Sequence, residues 1–227
     1  MPRRPQSKGC CTYCGYEAAK SGMSKHLAAC PQRRAVIEEA NGKEGESQTL
    51  LHLRAQDNYG GDFWLDLEMR GNSALSTLDH YLREIWLECC GHLSEFSMGG
   101  RYGEEISQDR KAKAVFTVGE SLVHLYDFGT TSETLIKVIG TREGKPTTKH
   151  PIALMARNRM PEAACIECGK PAAWLCRECV NEHGVWGVLC DEHAKTHPHH
   201  DYDEPIPLCN SPRMGMCGYE GPADPPY

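Results

Sequence analysis

The chain has 227 residues, 40% of them hydrophobic and 25% charged, with a net charge of -6; that is enough for one domain with its own buried core and too long for a disulfide-stapled miniprotein. A mean hydropathy of -0.54 and the lack of any apolar run near ~18 residues argue against a membrane span, and no apolar stretch follows the basic start MPRRPQSKGCC, so neither a signal nor a transit peptide is expected and the chain is assigned to the cytoplasm. Thirteen Cys and eleven His, clustered toward the two ends, read as metal ligands before disulfides in a reducing compartment.

Charge divides along the chain: residues 1–34 carry a net +6, 35–160 a net -5 and 161–227 a net -7. The first segment suits an anion such as a nucleic-acid backbone, and the last would be repelled by one. In the first segment Cys11 and Cys14 form a CxxC turn, and His26 and Cys30 follow four residues apart. That spacing puts both on one helix face, where they close a tetrahedral zinc site against the turn. Ser21 is the expected N-cap, and Pro31 stops the helix. Residues 1–40 thus resemble a shortened zinc finger of the Cys-Cys-His-Cys type. The resemblance puts the usual base-reading positions at Ala19, Gly22 and Lys25. Ala and Gly cannot discriminate a base edge, which leaves Lys8, Lys20, Lys25, Arg33 and Arg34 to meet phosphates without sequence preference. Ala18 stands where such a finger has an aromatic core residue, and Met23 takes the other core place.

The polar NGKEGESQ at 41–48 reads as a linker, and a core domain is expected over 49–160. TLLHLRA and DFWLDLEM each alternate, placing Leu51, Leu53 and Ala55, then Phe63, Leu65, Leu67 and Met69 on one face, with NYGGD as the turn of a hairpin. From Ser73 the period becomes helical through Leu75, Leu78, Leu82, Ile85, Trp86 and Cys89, and Gly91 stops an amphipathic helix of about 17 residues. AVFTV, SLVHLYDF and TLIKVI read as three further strands. The fold class is therefore α+β: a central antiparallel sheet packed on an amphipathic helix, flanked by two small zinc-stabilised modules.

LxxLDHYLREIWLECCGHLSEF at 75–96 and YDFGTTSETLIKVIG at 126–140 resemble a bacterial family, the plasmid-encoded open-reading-frame-three-like proteins of root-inducing plasmid type. His92, Leu93 and Phe96 match its His-Leu-x-x-Phe step, and Tyr126 to Gly129 its Tyr-Asp-Phe-Gly strand end. Many relatives continue with an acidic residue and Trp-Glu-His, where this chain has Thr130, Thr131, Ser132 and Glu133. The resemblance implies a shared fold and an association with mobile elements, and supplies no mechanism. Acid/base candidates in this domain are His80, His92, Glu95, His124, Asp127 and Glu133. A second set of readings makes His80 a surface residue, His124 a mid-strand residue and Asp127 a turn-former, with Cys89 and Cys90 as buried small hydrophobes on the helix.

From 161 onward ligands come in pairs: Cys165/Cys168, Cys176/Cys179, Cys190/His193, then His197 with His199, or with His200 in its place. So few large apolar groups cannot fold such a segment on burial alone, and metal is its expected core. The spacing resembles the B-box class of cross-braced modules, which implies one zinc on Cys165, Cys168, Cys190 and His193 and another on Cys176, Cys179, His197 and His199; sequential pairing is the alternative. The tail NSPRMGMCGYEGP is expected to dock on this module, or to bind a partner through Arg213 and Tyr219.

Twelve protein ligands imply three structural zinc ions. The function expected is a non-enzymatic zinc-binding adaptor, contacting nucleic-acid backbone at one end and a protein partner at the other, without a membrane. No catalytic residue is assigned. The alternative is an enzyme of unstated reaction using the cleft near His92 and Asp127.

Overall fold

The structure, a computed structural model, describes residues 7–199 and 203–227. It is mixed, and its largest element is a nine-stranded antiparallel sheet. Strands β1 (Lys8–Cys11), β2 (Glu17–Ala19), β3 (Gln48–Asp57), β4 (Trp64–Arg70), β5 (Ser94–Met98), β6 (Glu104–Ile106), β7 (Ser121–Tyr126), β8 (Ser132–Gly144) and β9 (Ile152–Asn158) are ordered β2-β1-β9-β4-β3-β8-β7-β5-β6. The β3–β4 hairpin forms in the register that the alternation predicts, with Leu51 opposite Met69, Leu53 opposite Leu67 and Ala55 opposite Leu65. Asp57 shapes its turn, its carboxylate accepting from the amides of Tyr59 and Gly60 at 3.0 and 2.8 Å.

Both faces of this hairpin are covered. On one, the leucines share a buried cluster with Leu75, Leu78, Tyr81, Leu82, Ile85 and Trp86. These last come from α3 (Leu75–Leu82) and a following wide turn, Arg83–Leu87. On the other face lie ion pairs: Asp66 with Arg54 and His52 at 2.5 and 2.7 Å, and Glu68 with Arg142 and Arg33 at 2.6 and 3.1 Å. Burying carboxylates is tolerable because each is paired with a cation.

The helix after Ser73 is shorter than its periodicity predicts. It ends before Glu88, whose carboxylate accepts from Arg83 Nε at 2.6 Å and from the Tyr126 hydroxyl at 3.1 Å, and whose backbone is extended. Cys89 and Cys90 therefore stand beyond the helix, the first half-buried and the second exposed. AVFTV forms no strand: Ala112–Ala114 make a short turn of helix, and Val115 and Phe116 are buried by packing instead. The periodicity predicts β3, β4, β7 and β8 of this sheet, and not β1, β2, β5, β6 or β9.

The N-terminal segment is stitched to the sheet, since β1 pairs with β9 (Cys10 opposite Arg157, Cys11 opposite Ala156). Helix α1 (Lys20–Ala29) starts after Ala19, with no side-chain cap from Ser21. Cys30 breaks it in extended backbone, and Pro31 opens a second helix, α2 (Pro31–Gly42), that runs into the expected linker. Pro is tolerated there because the first helical residue needs no N–H partner.

The C-terminal segment holds β10 (Trp174–Cys176), α4 (Arg177–His183), β11 (Gly187–Leu189), α5 (Asp191–Ala194) and β12 (Ile206–Pro207), with a small sheet ordered β11-β10-β12. The tail returns between the two parts. Cys209, Met214 and Tyr219 pack with Leu175 of the module and Cys89 and Met160 of the core, and Ser211 Oγ donates to the Trp86 carbonyl at 2.6 Å.

Candidate metal centres

Three groups of four side chains bring their sulfur and nitrogen atoms within 4.8 Å of one another: Cys11, Cys14, His26 and Cys30; Cys165, Cys168, Cys190 and His193; and Cys176, Cys179, His197 and His199. The second and third match the interleaved pairing of the cross-braced reading. His200, the alternative ligand, lies outside the described residues.

Local structure explains how each group assembles. In the first, β1 delivers Cys11, α1 delivers His26, and Cys30 sits at the break after the helix. The two CxxC turns at Cys11 and Cys165 are built alike. Cys11 N donates to Tyr16 O and Gly15 N to Cys11 O, both at 2.9 Å; Cys165 N donates to Lys170 O and Gly169 N to Cys165 O, both at 2.8 Å. Gly15 and Gly169 close these turns at φ 75° and 72°, where a side chain would be strained. The shared motif is therefore CxxCG, present in the sequence at 11–15 and 165–169, a signal that ligand spacing alone does not carry. In the third group β10 ends on Cys176, α4 carries Cys179, and His197 and His199 arrive after α5.

The donor set fits zinc. Zn–S bonds of about 2.3 Å and Zn–N bonds of about 2.0 Å in a tetrahedron require S···N edges of about 3.5 Å and S···S edges of about 3.8 Å. Cys165 Sγ and Cys190 Sγ each lie 3.4 Å from His193 Nδ1, and Cys168 Sγ lies 3.8 Å from Cys190 Sγ. Cys176 Sγ is 3.4 Å from His199 Nδ1, and Cys179 Sγ 3.1 Å from His197 Nε2. In the first group Cys14 Sγ is 3.2 Å from His26 Nε2. Carboxylates stand near the free imidazole nitrogens, Glu167 3.3 Å from His197 Nδ1 and Glu182 3.1 Å from His199 Nε2, although His197 Nδ1 makes no hydrogen bond.

Burial pushes the Cys11 and Cys179 thiols up to about 11, a cost that a ligated cation offsets by holding the thiolate. At Cys165 burial also raises the thiol, but amides of Cys190, Glu167 and Cys168 and the His193 ring outweigh it and bring it to about 6.

The five basic residues assigned to phosphates separate. Lys8, Lys25 and Arg34 are exposed. Lys20 donates to the Gly61 carbonyl at 3.1 Å, and Arg33 is committed to the Leu27 carbonyl and to Glu68 at 3.2 and 3.1 Å. The last two are structural, because the Gly61 and Leu27 carbonyls and the buried Glu68 carboxylate claim their donors.

The acid/base candidates also separate. His80 is exposed beside Glu84. His124 is fully buried and bonded to Asp79 at 2.7 Å, and Glu133 bonds Asn58, Tyr59 and Arg101. Asp127 lies 3.7 Å from His92 Nε2 but is taken by Arg213 at 2.7 Å and the Gly129 amide at 2.9 Å. Arg213 itself is fully buried, so it is an internal anchor and not a surface contact. The sequence reading missed this cluster because its partners are some 80 residues apart.

No protein-family model matches the sequence, and no curated protein matches it. A solved structure with some similarity is a protein of unknown function from Methanosarcina mazei Go1, 18% identical, with a TM-score of 0.40 over 46% of this chain and 66% of that one. The matched region spans just under two thirds of that protein, and at this score it carries no argument. Among the described residues no helix is long and apolar enough to cross a membrane.

Proposed function

We propose that the chain is a non-enzymatic, zinc-stabilised binding protein that docks a protein partner through its C-terminal module and touches a nucleic-acid backbone through its N-terminal segment. The observation that carries this reading is the closure of the metal groups. Each of the three offers four protein ligands and so leaves no coordination position for water or substrate, which is the pattern of structural zinc. The packing of the amphipathic helix on the sheet belongs to the same reading, as does kinship with the plasmid-encoded family, supported by the motifs at 75–96 and 126–140.

The partner surface is supported by Ile166, Val180, Val185 and Trp186, which are exposed on the C-terminal module. Val180, Val185 and Trp186 follow one another around the turn from α4 to β11. Exposed apolar groups gathered on a segment of net charge -7 suit a protein with an apolar, basic face. The nucleic-acid contact is supported by Lys8, Lys25 and Arg34 alone, so it is a small footprint of sequence-independent affinity.

Fluorescence anisotropy with random duplex and random single strands at about 50 and about 200 mM salt tests the second half. Weak binding that falls steeply with salt, and falls again in Lys25→Glu/Arg34→Glu, is expected. No binding at low salt removes the nucleic-acid contact. For the first half, a partner recovered with the native chain and lost with Trp186→Asp supports the docking surface; equal recovery by both refutes it.

A further inference from the structure

We propose that Cys89 and Cys217 form an oxidisable thiol pair, separate from the three four-ligand groups, that closes into a disulfide when the protein meets hydrogen peroxide or an alkyl hydroperoxide. The inference does not depend on the binding role above.

The two thiols come from distant parts of the chain and meet on one guanidinium. Arg213 donates from Nε to Cys89 Sγ at 3.2 Å and from Nη2 to Cys217 Sγ at 3.5 Å. Nε and Nη2 form the same fork edge of the planar group, so the sulfurs lie side by side along it. Arg213 is itself fixed: it is fully buried and also donates to Asp127, the Thr130 carbonyl and Ser132 Oγ. Cys217 is exposed, and Cys89 is half-buried behind it. His92 Nδ1 stands 3.9 Å from Cys89 Sγ, within reach to accept a proton. Cys217 and Asp127 are the two non-glycine residues with positive φ among those described, at 50° and 64°, and such backbone persists where the surroundings over-determine it.

A divalent metal is the competing occupant, since Cys89, Cys90 and His92 form one close group and His92, Asp127 and Cys217 another. The guanidinium argues against it: a buried positive charge already donates to both sulfurs and to the carboxylate, and it repels a second cation. The Cys217 thiol is raised: burial, Cys89 and Asp127 push it up, and Arg213 offsets only part of this, so its first oxidation proceeds from the thiol at neutral pH.

The chemistry balances in two steps. The exposed Cys217 sulfur attacks one peroxide oxygen, the O–O bond breaks, and the thiol proton leaves with the departing oxygen, as water from hydrogen peroxide or as the alcohol from an alkyl hydroperoxide, so sulfur is oxidised to sulfenic acid and the peroxide is reduced. Cys89 then attacks that sulfur; the S–S bond forms, the S–O bond breaks, and the hydroxide leaves as water with the Cys89 proton. The link would tie the tail to the chain that leaves α3.

The test uses the full, zinc-loaded chain treated with graded hydrogen peroxide, alkylated, and mapped under non-reducing conditions. Zinc release is followed with a chromogenic chelator. Expected is a Cys89–Cys217 linked peptide, reversed by dithiothreitol, at doses that release no zinc. Cys89→Ser should stop at a Cys217 sulfenic acid trapped by dimedone, and Cys217→Ser should give no link. Arg213→Gln should slow linkage roughly tenfold, because the fork that holds both sulfurs along one edge is lost; if that variant does not fold, the two serine variants decide alone. A link through Cys90 in the native chain, or zinc release before any link forms, overturns the proposal.

Discussion

Arg213 and Asp127 face one another at 2.7 Å between Nη2 and Oδ2, 86 residues apart in sequence, and this pair fastens the C-terminal tail to the core. The arginine is fully buried, and Asp127 is nearly so. Burial raises the Asp127 carboxyl, but the guanidinium and the amides of Gly129 and Thr130 hold it down at about 2.

Asp127→Asn should therefore cost about 3 kcal/mol, the scale for leaving one member of a buried pair uncompensated, as read by urea unfolding at neutral pH. Because the folded value lies below the unfolded carboxylate value of about 3.9, the contribution is fully present above about pH 4. It is lost as pH falls through about 2. The difference between the native chain and Asp127→Asn should thus be flat from pH 7 to 5 and shrink in strong acid. A difference that disappears by pH 5 would contradict the assignment.

Elemental analysis of purified protein should return about three zinc ions per chain, as twelve ligands in four-coordinate sites require. Cys165→Ser and Cys176→Ser should each remove about one, and they should spare each other's site. Loss of both ions from either variant would mean that the two C-terminal groups are not separate centres.

Trp64 supplies a core aromatic where the N-terminal segment has Ala18, beside Tyr13 of that segment. It is fully buried with Cys11, Met23, Leu27, Cys30, Met155 and Ala156, and Gly9 passes so close that a Cβ there would come within 2.4 Å of its ring. Trp64→Ala should cost about 3–5 kcal/mol in unfolding free energy and weaken zinc at Cys11, Cys14, His26 and Cys30 before the C-terminal centres. Gly9→Val should do the same by driving its side chain into the ring and the Arg157 carbonyl, with the tryptophan itself kept. Unchanged zinc affinity in both would detach the metal group from the sheet.

Chelation should separate the parts of the fold by their dependence on metal. The C-terminal module has a small core made largely of ligands, Cys165, Cys176, Cys179 and Cys190 with Leu189 and Ala194. Excess chelator should abolish protection from amide exchange in 165–199 while β3, β4 and β8 remain protected. Equal loss across both regions would argue against a metal-free core.

What was legible in the sequence was what local periodicity or ligand spacing encodes. The alternation of Leu51, Leu53 and Ala55 against Leu65, Leu67 and Met69 placed a hairpin in register, and Cys and His spacing marked three ligand sets that the structure gathers. Contacts that overrule local preference were not legible. Glu88 ends a helix whose apolar spacing continues, because Arg83 and Tyr126 claim its carboxylate. Trp64 lies on the opposite face from its leucine neighbours and serves a segment some 40 residues upstream. Arg33 and Lys20 count as free charge in a sequence, and only the fold shows Glu68 and the Gly61 carbonyl consuming them.

The pairing of β1 with β9 has a consequence for the protein when metal is scarce. Cys11, a candidate ligand, is also the last residue of the strand that covers the outer rim of β9 at Ala156. If the first centre empties and this strand peels back, β9 presents a row of unsatisfied amides and carbonyls to solvent, which is a template for strand addition from another molecule. A metal held at that end would thus guard against self-association, and deprivation would show as turbidity or oligomer growth while much of the inner sheet is still intact.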